Sequence, residues 1–228
     1  MKEFKIRCSA ISQIMASPSA NKLPVGAITY IHTWLKEQIY SRSNQFSSKY
    51  TEKGTECEQG SIELAAEEYG WGMVAKNTEM YEDEYMTGTP DLILADEIPD
   101  IKNAWSCFTF PLFDTEMSKE HYWQLQGYMR LARKPKACII HTLMDAPESL
   151  IMAEARKEMY RAGLDDLEME LYDQVKASMT YSHLPNSLRI KRFDTVRDDE
   201  KIEQIINRVK LCREYIQNLN LNYANSNI

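Results

Sequence analysis

Apolar positions recur along the chain with two periods, and together they lay out an alternation of helices and strands. Over 27–41, Ile28, Ile31, Trp34, Leu35 and Ile39 share one face at helical spacing, which predicts an amphipathic helix against a core. The same spacing in Ile202, Ile205, Ile206, Val209, Cys212, Ile216 and Leu219 predicts a helix over about 199–219. Its acidic start, "DDE", suits the positive end of a helix dipole. The short run "ACIIHTL" (137–143) is almost wholly apolar, the signature of a strand buried on both faces.

Weaker patterns fill the intervals. Residues 8–16 read as a short helix with Ser9 as its N-cap. Residues 52–69 read as a helix despite Gly54 and Gly60, 117–133 as a helix, and 148–179 as helical with a break near Gly163. The stretch 87–105 reads as two strands and "LRIKRFD" (188–194) as a basic strand. "SRSNQFSSKY" is a polar loop, and 106–115 has strand-like aromatics broken by Pro111. No repeat or linker composition intervenes, so one α/β domain over 1–228 is expected.

Composition narrows the class. A 43% hydrophobic and 27% charged chain is ordinary for a soluble globular domain. At 228 residues its core needs no disulfide or metal staple. Five cysteines lie singly at 8, 57, 107, 138 and 212. Without CxxC pairs they fit reduced thiols and give no zinc or iron–sulfur pattern. The opening "MKEFKIRCSAISQIM" has no long apolar run, and no window approaches the ~20 apolar residues of a membrane span. Neither a signal peptide nor a membrane segment is expected, and the expected location is cytoplasmic. The net charge of −7 weighs against wholesale nucleic-acid binding. It leaves room for a local basic groove, because salt screens distant charges.

The chemistry concentrates in "TGTPDLILADEIPDIKNAW" (87–105). A hairpin centred between Ala95 and Asp96 sets Asp91 opposite Asp100, with Cβ atoms about 4.5–5.5 Å apart, where like charges destabilise. Alternation puts Asp100 and Lys102 on one face and turns Ile101 inward, leaving its carbonyl near the acids. Two carboxylates and a carbonyl are the hard oxygen donors that suit Mg2+ or Mn2+. A metal there lowers the pKa of its water and stabilises charge on phosphorus. The lysine can orient or help deprotonate that water. The bland alternative is a surface hairpin with solvated charges.

Pro90-Asp91 followed by Asp100-Ile101-Lys102 resembles the PD-(D/E)xK nuclease signature. Three further stretches resemble, in order, elements of the phage lambda exonuclease family (YqaJ-type viral recombination nucleases). "SAISQIMASP" is similar to the opening helix, with Ser9 where a serine lies near the DNA end. "KGTECEQG" supplies Gly54 and Glu58 of a Gly-xxx-Glu element. "YWQLQGYM" is similar to the QxQ helix, with Gln124, Gln126 and Tyr128. The set spans roughly residues 7–134. Asp100 stands where the lambda enzyme has Glu, and His121 where a Tyr is expected. The family's early arginine has no aligned counterpart, Arg7 lying at a different offset from Ser9. Residues 148–186 look like an elaboration.

The resemblance implies a restriction-endonuclease-like core: a central mixed β-sheet flanked by helices, with added N- and C-terminal helices. It implies a Mg2+- or Mn2+-dependent phage-type DNA exonuclease, running 5′ to 3′, that exposes single strands for recombination. Its partners would be DNA, a single-strand annealing protein and copies of itself in a ring trimer. Asp91, Asp100, the Ile101 carbonyl and Glu58 would hold metal. Lys102 and Gln124 would complete the catalytic group, with Gln124 holding the Lys102 amine or the attacking water. Ser9, Arg7, Tyr128, Arg130, Arg133 and Lys134 are candidates to meet DNA, and "RIKR" (Arg189, Lys191, Arg192) is a second basic patch. Two alternatives stay open: an endonuclease or single-strand nuclease of the same fold, and an inactive DNA-binding module. A related subgroup carrying an iron–sulfur cluster is disfavoured, since only Cys212 lies near the C-terminus.

Overall fold

The structure is a computed structural model that describes residues 2–17, 22–44, 49–166 and 168–219. Within these the strands form two small mixed sheets rather than the one central sheet expected. The first has the order β1-β3-β2: β1 (Ile6–Arg7), β2 (Tyr81–Glu82) and β3 (Met86–Gly88). The second has the order β4-β5-β6: β4 (Glu97–Asn103), β5 (Lys136–Thr142) and β6 (Ile190–Val196). β4 runs parallel to β5, which a helical crossover requires, and β5 is antiparallel to β6.

The helices fall close to their expected places. They are α1 (Ile11–Ile14), α2 (Val25–Tyr40), α3 (Lys49–Glu68), α4 (Lys119–Leu131), α5 (Glu148–Arg161), α6 (Met169–Met179) and α7 (Asp199–Asn218). Ser118 caps α4 by accepting from His121 N–H (3.1 Å), and Asp198 caps α7 by accepting from Lys201 N–H (3.0 Å). The break between α5 and α6 comes at Gly163, whose φ of +69° favours a residue without Cβ. The opening helix departs from expectation. A 3-10 turn over Cys8–Ala10 precedes α1, so Ser9 lies inside that turn and caps nothing.

Alternation along β4 and β5 explains how the layers stack. Ile98, Ala137 and Ile139 face Leu125 and Met129 of α4 and Ile205 and Val209 of α7. Ile101, Cys138, Ile140 and Ile190 face Ile62, Leu64 and Ala65 of α3. The sheet is therefore covered on both sides, which accounts for the continuous apolar run at 138–143. α4 is pressed against the 3-10 turn. A Cβ on Gly127 would lie 2.6 Å from Ile11 Cδ1 and 2.8 Å from Cys8 Sγ. All five cysteines are free thiols. Among the described residues no helix is long and apolar enough to cross a membrane.

Candidate active site

The expected hairpin forms about its expected centre, though only its second half is regular strand. Leu94 N–H donates to Glu97 O (2.9 Å) and Leu92 N–H to Pro99 O (3.2 Å), which sets Asp91 opposite Asp100. Pro99 has no N–H to return the bond, so 90–94 stays irregular. At the next rung the Asp91 carboxylate takes the place of a backbone acceptor: its Oδ2 accepts from Ile101 N–H at 2.8 Å. The Pro90 carbonyl, the acceptor this replaces, is occupied by Asn77 Nδ2, which donates to it (2.9 Å), while Asn77 N–H donates to Asp91 O (2.8 Å).

Asp100 is buried, 1% exposed, beneath α4. Its Oδ1 accepts from Gln124 Nε2 at 3.3 Å. Its Oδ2 lies 2.6 Å from Lys102 Nζ, yet the contact is off the hydrogen-bonding direction and Oδ2 is a buried atom without a hydrogen bond. Such an atom carries a desolvation cost that a cation would relieve. Gln124 Nε2 also donates to Tyr128 Oη (3.0 Å), and that hydroxyl donates to Thr89 O (3.3 Å). Gln124 therefore holds an acid, where the sequence pointed to the Lys102 amine or a water. Tyr128, a candidate to meet DNA, is buried at 5% exposure and braces Gln124 against Thr89.

Electrostatics agree with the crowding. Burial and the nearby Asp100 raise the Asp91 carboxyl to about 7, against the opposing pull of Lys102 and the Ile101 N–H. Burial lowers the Lys102 ammonium, but Asp100 and Asp91 outweigh it and the net shift is upward. Lys102 thus stays charged as long as both acids surround it. His121 and His141, ring centroids 5.4 Å apart, are both shifted down, first by burial and then by charged neighbours; His141 reaches about 4. They are neutral near pH 7, and His121 Nδ1 is a second buried atom without a partner.

Glu58, Asp91, Ile101 and Lys102 line one cavity of about 430 Å3, as expected. Glu58 is the one acid of α3 between Glu52 and Glu68 that is not fully exposed. Its Oε2 lies 2.5 Å from Lys76 Nζ. Lys76 and Asn77 were not anticipated: they sit in a loop with no periodicity. A larger cleft of about 570 Å3, between α3 and residues 70–74, lies away from the paired aspartates, and we attach no chemistry to it.

Donor chemistry in this cavity fits a hard divalent cation. Asp91, the Ile101 carbonyl and Glu58 in its lining and Asp100 beside it are all oxygen donors, with Asp100 Oδ2 against Lys102. Glu97, Cys138 and Asp194 also offer ligand atoms within 4.8 Å of one another. That trio already holds a cation, since Arg192 Nη2 lies 2.5 Å from Glu97 and 2.7 Å from Asp194.

The expected DNA contacts fare less well. Arg7 is exposed but pairs with Glu37 (3.3 Å), Arg130 pairs with Asp83 (2.5 Å), and Lys134 donates to Ala95 O (2.8 Å). Lys134 marks the hairpin tip, about 15 Å along the strand from Asp100 at ~3.3 Å per residue. Arg133 is exposed, and Ser9 is exposed. In the second patch, Arg189 and Lys191 donate to the carbonyls of Leu143 and Leu112, and Arg192 serves Glu97. Lys191 alone of these stands in line with the site, in register with His141 and Lys102.

No family model and no curated protein matches the sequence. Solved structures do. A phage related exonuclease from Haemophilus somnus 129PT is 28% identical, each chain covered to 96%, with a TM-score of 0.75. This likeness agrees with the family resemblance of the motifs. The alkaline exonuclease of Laribacter hongkongensis shares the fold at 14% identity. Its TM-score is 0.63 over 94% of this chain and 92% of that one. In complex with dAMP it gives a TM-score of 0.66 over 96% and 93%. The family resemblance read from the motifs and the likeness of the whole exonuclease-type fold thus agree.

Proposed function

We propose that this exonuclease-type chain is a metal-dependent deoxyribonuclease that hydrolyses phosphodiester bonds from the ends of duplex DNA, on a restriction-endonuclease-like core. One observation carries the reading: Asp91 and Asp100 are forced together at the free edge of β4, with Asp100 Oδ2 buried beside Lys102 and lacking a hydrogen bond. Asp91, Asp100, the Ile101 carbonyl and Glu58 would hold Mg2+ or Mn2+, which supplies charge stabilisation at the phosphorus and a more acidic water. Lys102, kept charged by both acids, orients that water and the phosphate oxygens. Gln124 fixes Asp100 through Oδ1, so Oδ2 keeps its aim into the site. Tyr128 and Thr89 lock Gln124 in turn.

The likeness to exonucleases, one of them holding dAMP, favours stepwise release of mononucleotides over internal cutting. A 5′ to 3′ direction, a role in recombination with an annealing protein, a ring of three copies and a cytoplasmic setting rest on the family resemblance. Arg7, exposed and 3.3 Å from Glu37, has only its place near Ser9 in the sequence to support a part in end recognition.

The test is degradation of linear duplex DNA, with and without a 5′-phosphate, beside a closed circle in Mg2+. Wild type is compared with Asp100→Ala and Lys102→Ala. Loss of linear DNA alone, absent in both variants, is the expected result. Cutting of the circle would replace the exonuclease reading with an endonuclease. Inactivity on every substrate in Mg2+ and Mn2+ would leave a binding module.

A further inference from the structure

The cavity contains a second lysine that the proposed chemistry does not use. Lys76 reaches in from the loop before β2 and lies 2.5 Å from Glu58. It is not on a loosely attached loop. Asn77, next in the chain, is bonded to both Pro90 and Asp91, so Lys76 is held at a fixed distance from the paired acids. The pair itself is weak: 43% of the Lys76 side chain and 25% of the Glu58 side chain are exposed, and pairs of that kind shift an equilibrium by no more than about fivefold.

Charge counting gives the pair a meaning. Asp91, Asp100 and Glu58 face Lys76 and Lys102. Fully ionised, these three acids and two ammonium groups leave one negative charge, which repels DNA. A divalent cation turns the sum to one positive charge, matched to a single phosphodiester. Without Lys76 the loaded site would be neutral and would gain nothing from a phosphate.

We propose that Lys76 is an exchangeable counter-ion: it neutralises Glu58 until a divalent cation takes that carboxylate, and then turns to a DNA phosphate in the same cavity. The inference rests on the nuclease reading above and adds to it a coupling between metal loading and substrate capture. Lys76 is a substrate-positioning group in this scheme, and Lys102 keeps its own role.

The experiment compares wild type with Lys76→Met and Lys76→Arg. Ca2+ binding without DNA is measured by calorimetry. Binding of a short end-labelled duplex is measured by fluorescence anisotropy in Ca2+ and in EDTA, over a range of monovalent salt. Lys76→Met should bind Ca2+ about two- to fivefold more tightly, since Glu58 is no longer engaged. The same variant should bind DNA more weakly in Ca2+, with a salt slope lower by roughly one phosphate contact. Lys76→Arg should restore both values, and in EDTA wild type and Lys76→Met should both bind DNA weakly, the variant no better than wild type. A wild-type Ca2+ affinity in Lys76→Met overturns the exchange, and a wild-type salt slope overturns the phosphate contact. Wild-type protein that neither binds Ca2+ nor degrades DNA would remove the nuclease reading itself, a result distinct from either.

Discussion

Replacing Asp91 by Asn in the metal-free protein puts a number on the burial of Asp91 and its crowding by Asp100. The Asp91 carboxyl stands at about 7 in the folded protein against an ordinary 3.8. A raised pKa means that the folded state keeps a proton the unfolded chain has lost. Its contribution to stability is complete below pH ~4 and is lost as pH climbs through about 7. Integrated from pH ~6 to ~8, the loss is about 1.4 kcal/mol, or about 3–5 °C in Tm for a domain of this size. His121 and His141 act with the opposite sign: their lowered pKa values add stability as pH rises toward that of the unfolded imidazole. The quantity to read is therefore the difference between wild type and Asp91→Asn. An asparagine Oδ1 still accepts from Ile101 N–H, so the hairpin survives the change. Urea unfolding in EDTA should show Asp91→Asn gaining about 1.4 kcal/mol on wild type between these pH values. Saturating Mg2+ should reverse the order, since only wild type retains both acids. Stability curves that run parallel from pH ~6 to ~8 in EDTA would refute the claim that the acids are crowded.

Two further outcomes follow from the packing around α4. Gly127→Ala places a methyl 2.6 Å from Ile11 Cδ1 and 2.8 Å from Cys8 Sγ, and should cost about 1–3 kcal/mol by thermal or urea unfolding. Tyr128→Phe removes the hydroxyl that joins Gln124 to Thr89. It should cost about 1 kcal/mol and lower the nuclease rate without changing Ca2+ affinity.

The hairpin was legible because its two halves carry opposed apolar positions about a polar turn at Ala95-Asp96. The acids and lysine then follow from alternation alone. The first sheet was not legible: two- and three-residue strands have no period to detect, and only long-range pairing of Ile6 with Met86 and of Tyr81 with Gly88 creates them. Gln124 and Tyr128 were found through the resemblance to the QxQ helix, but whether such a helix face meets DNA or core depends on what lies across from it. Here that is Thr89 and the buried Asp100. In the basic cluster at 130–136 the aim of the side chains likewise depends on distant partners. Asp83 and the Ala95 carbonyl, far away in sequence, take up Arg130 and Lys134. Lys76 gave no signal, since its aim is set by the bonds of Asn77 and not by any pattern around it.

β4 ends its sheet, covered only by the irregular half-hairpin 90–94, and a poorly covered sheet edge invites another chain to pair with it. Here the open rungs are blunted twice. Pro99 offers no N–H, and the amide of Ile101 is occupied by the Asp91 carboxylate. The residues that would hold a metal are thus also the guards against strand-on-strand association. A variant such as Asp91→Ala exposes a free amide on an edge that has lost one of its charges, and should aggregate at concentrations where Asp91→Asn stays dispersed. In the proposed chemistry, one carboxylate thus serves both the metal and the dispersed state of the protein.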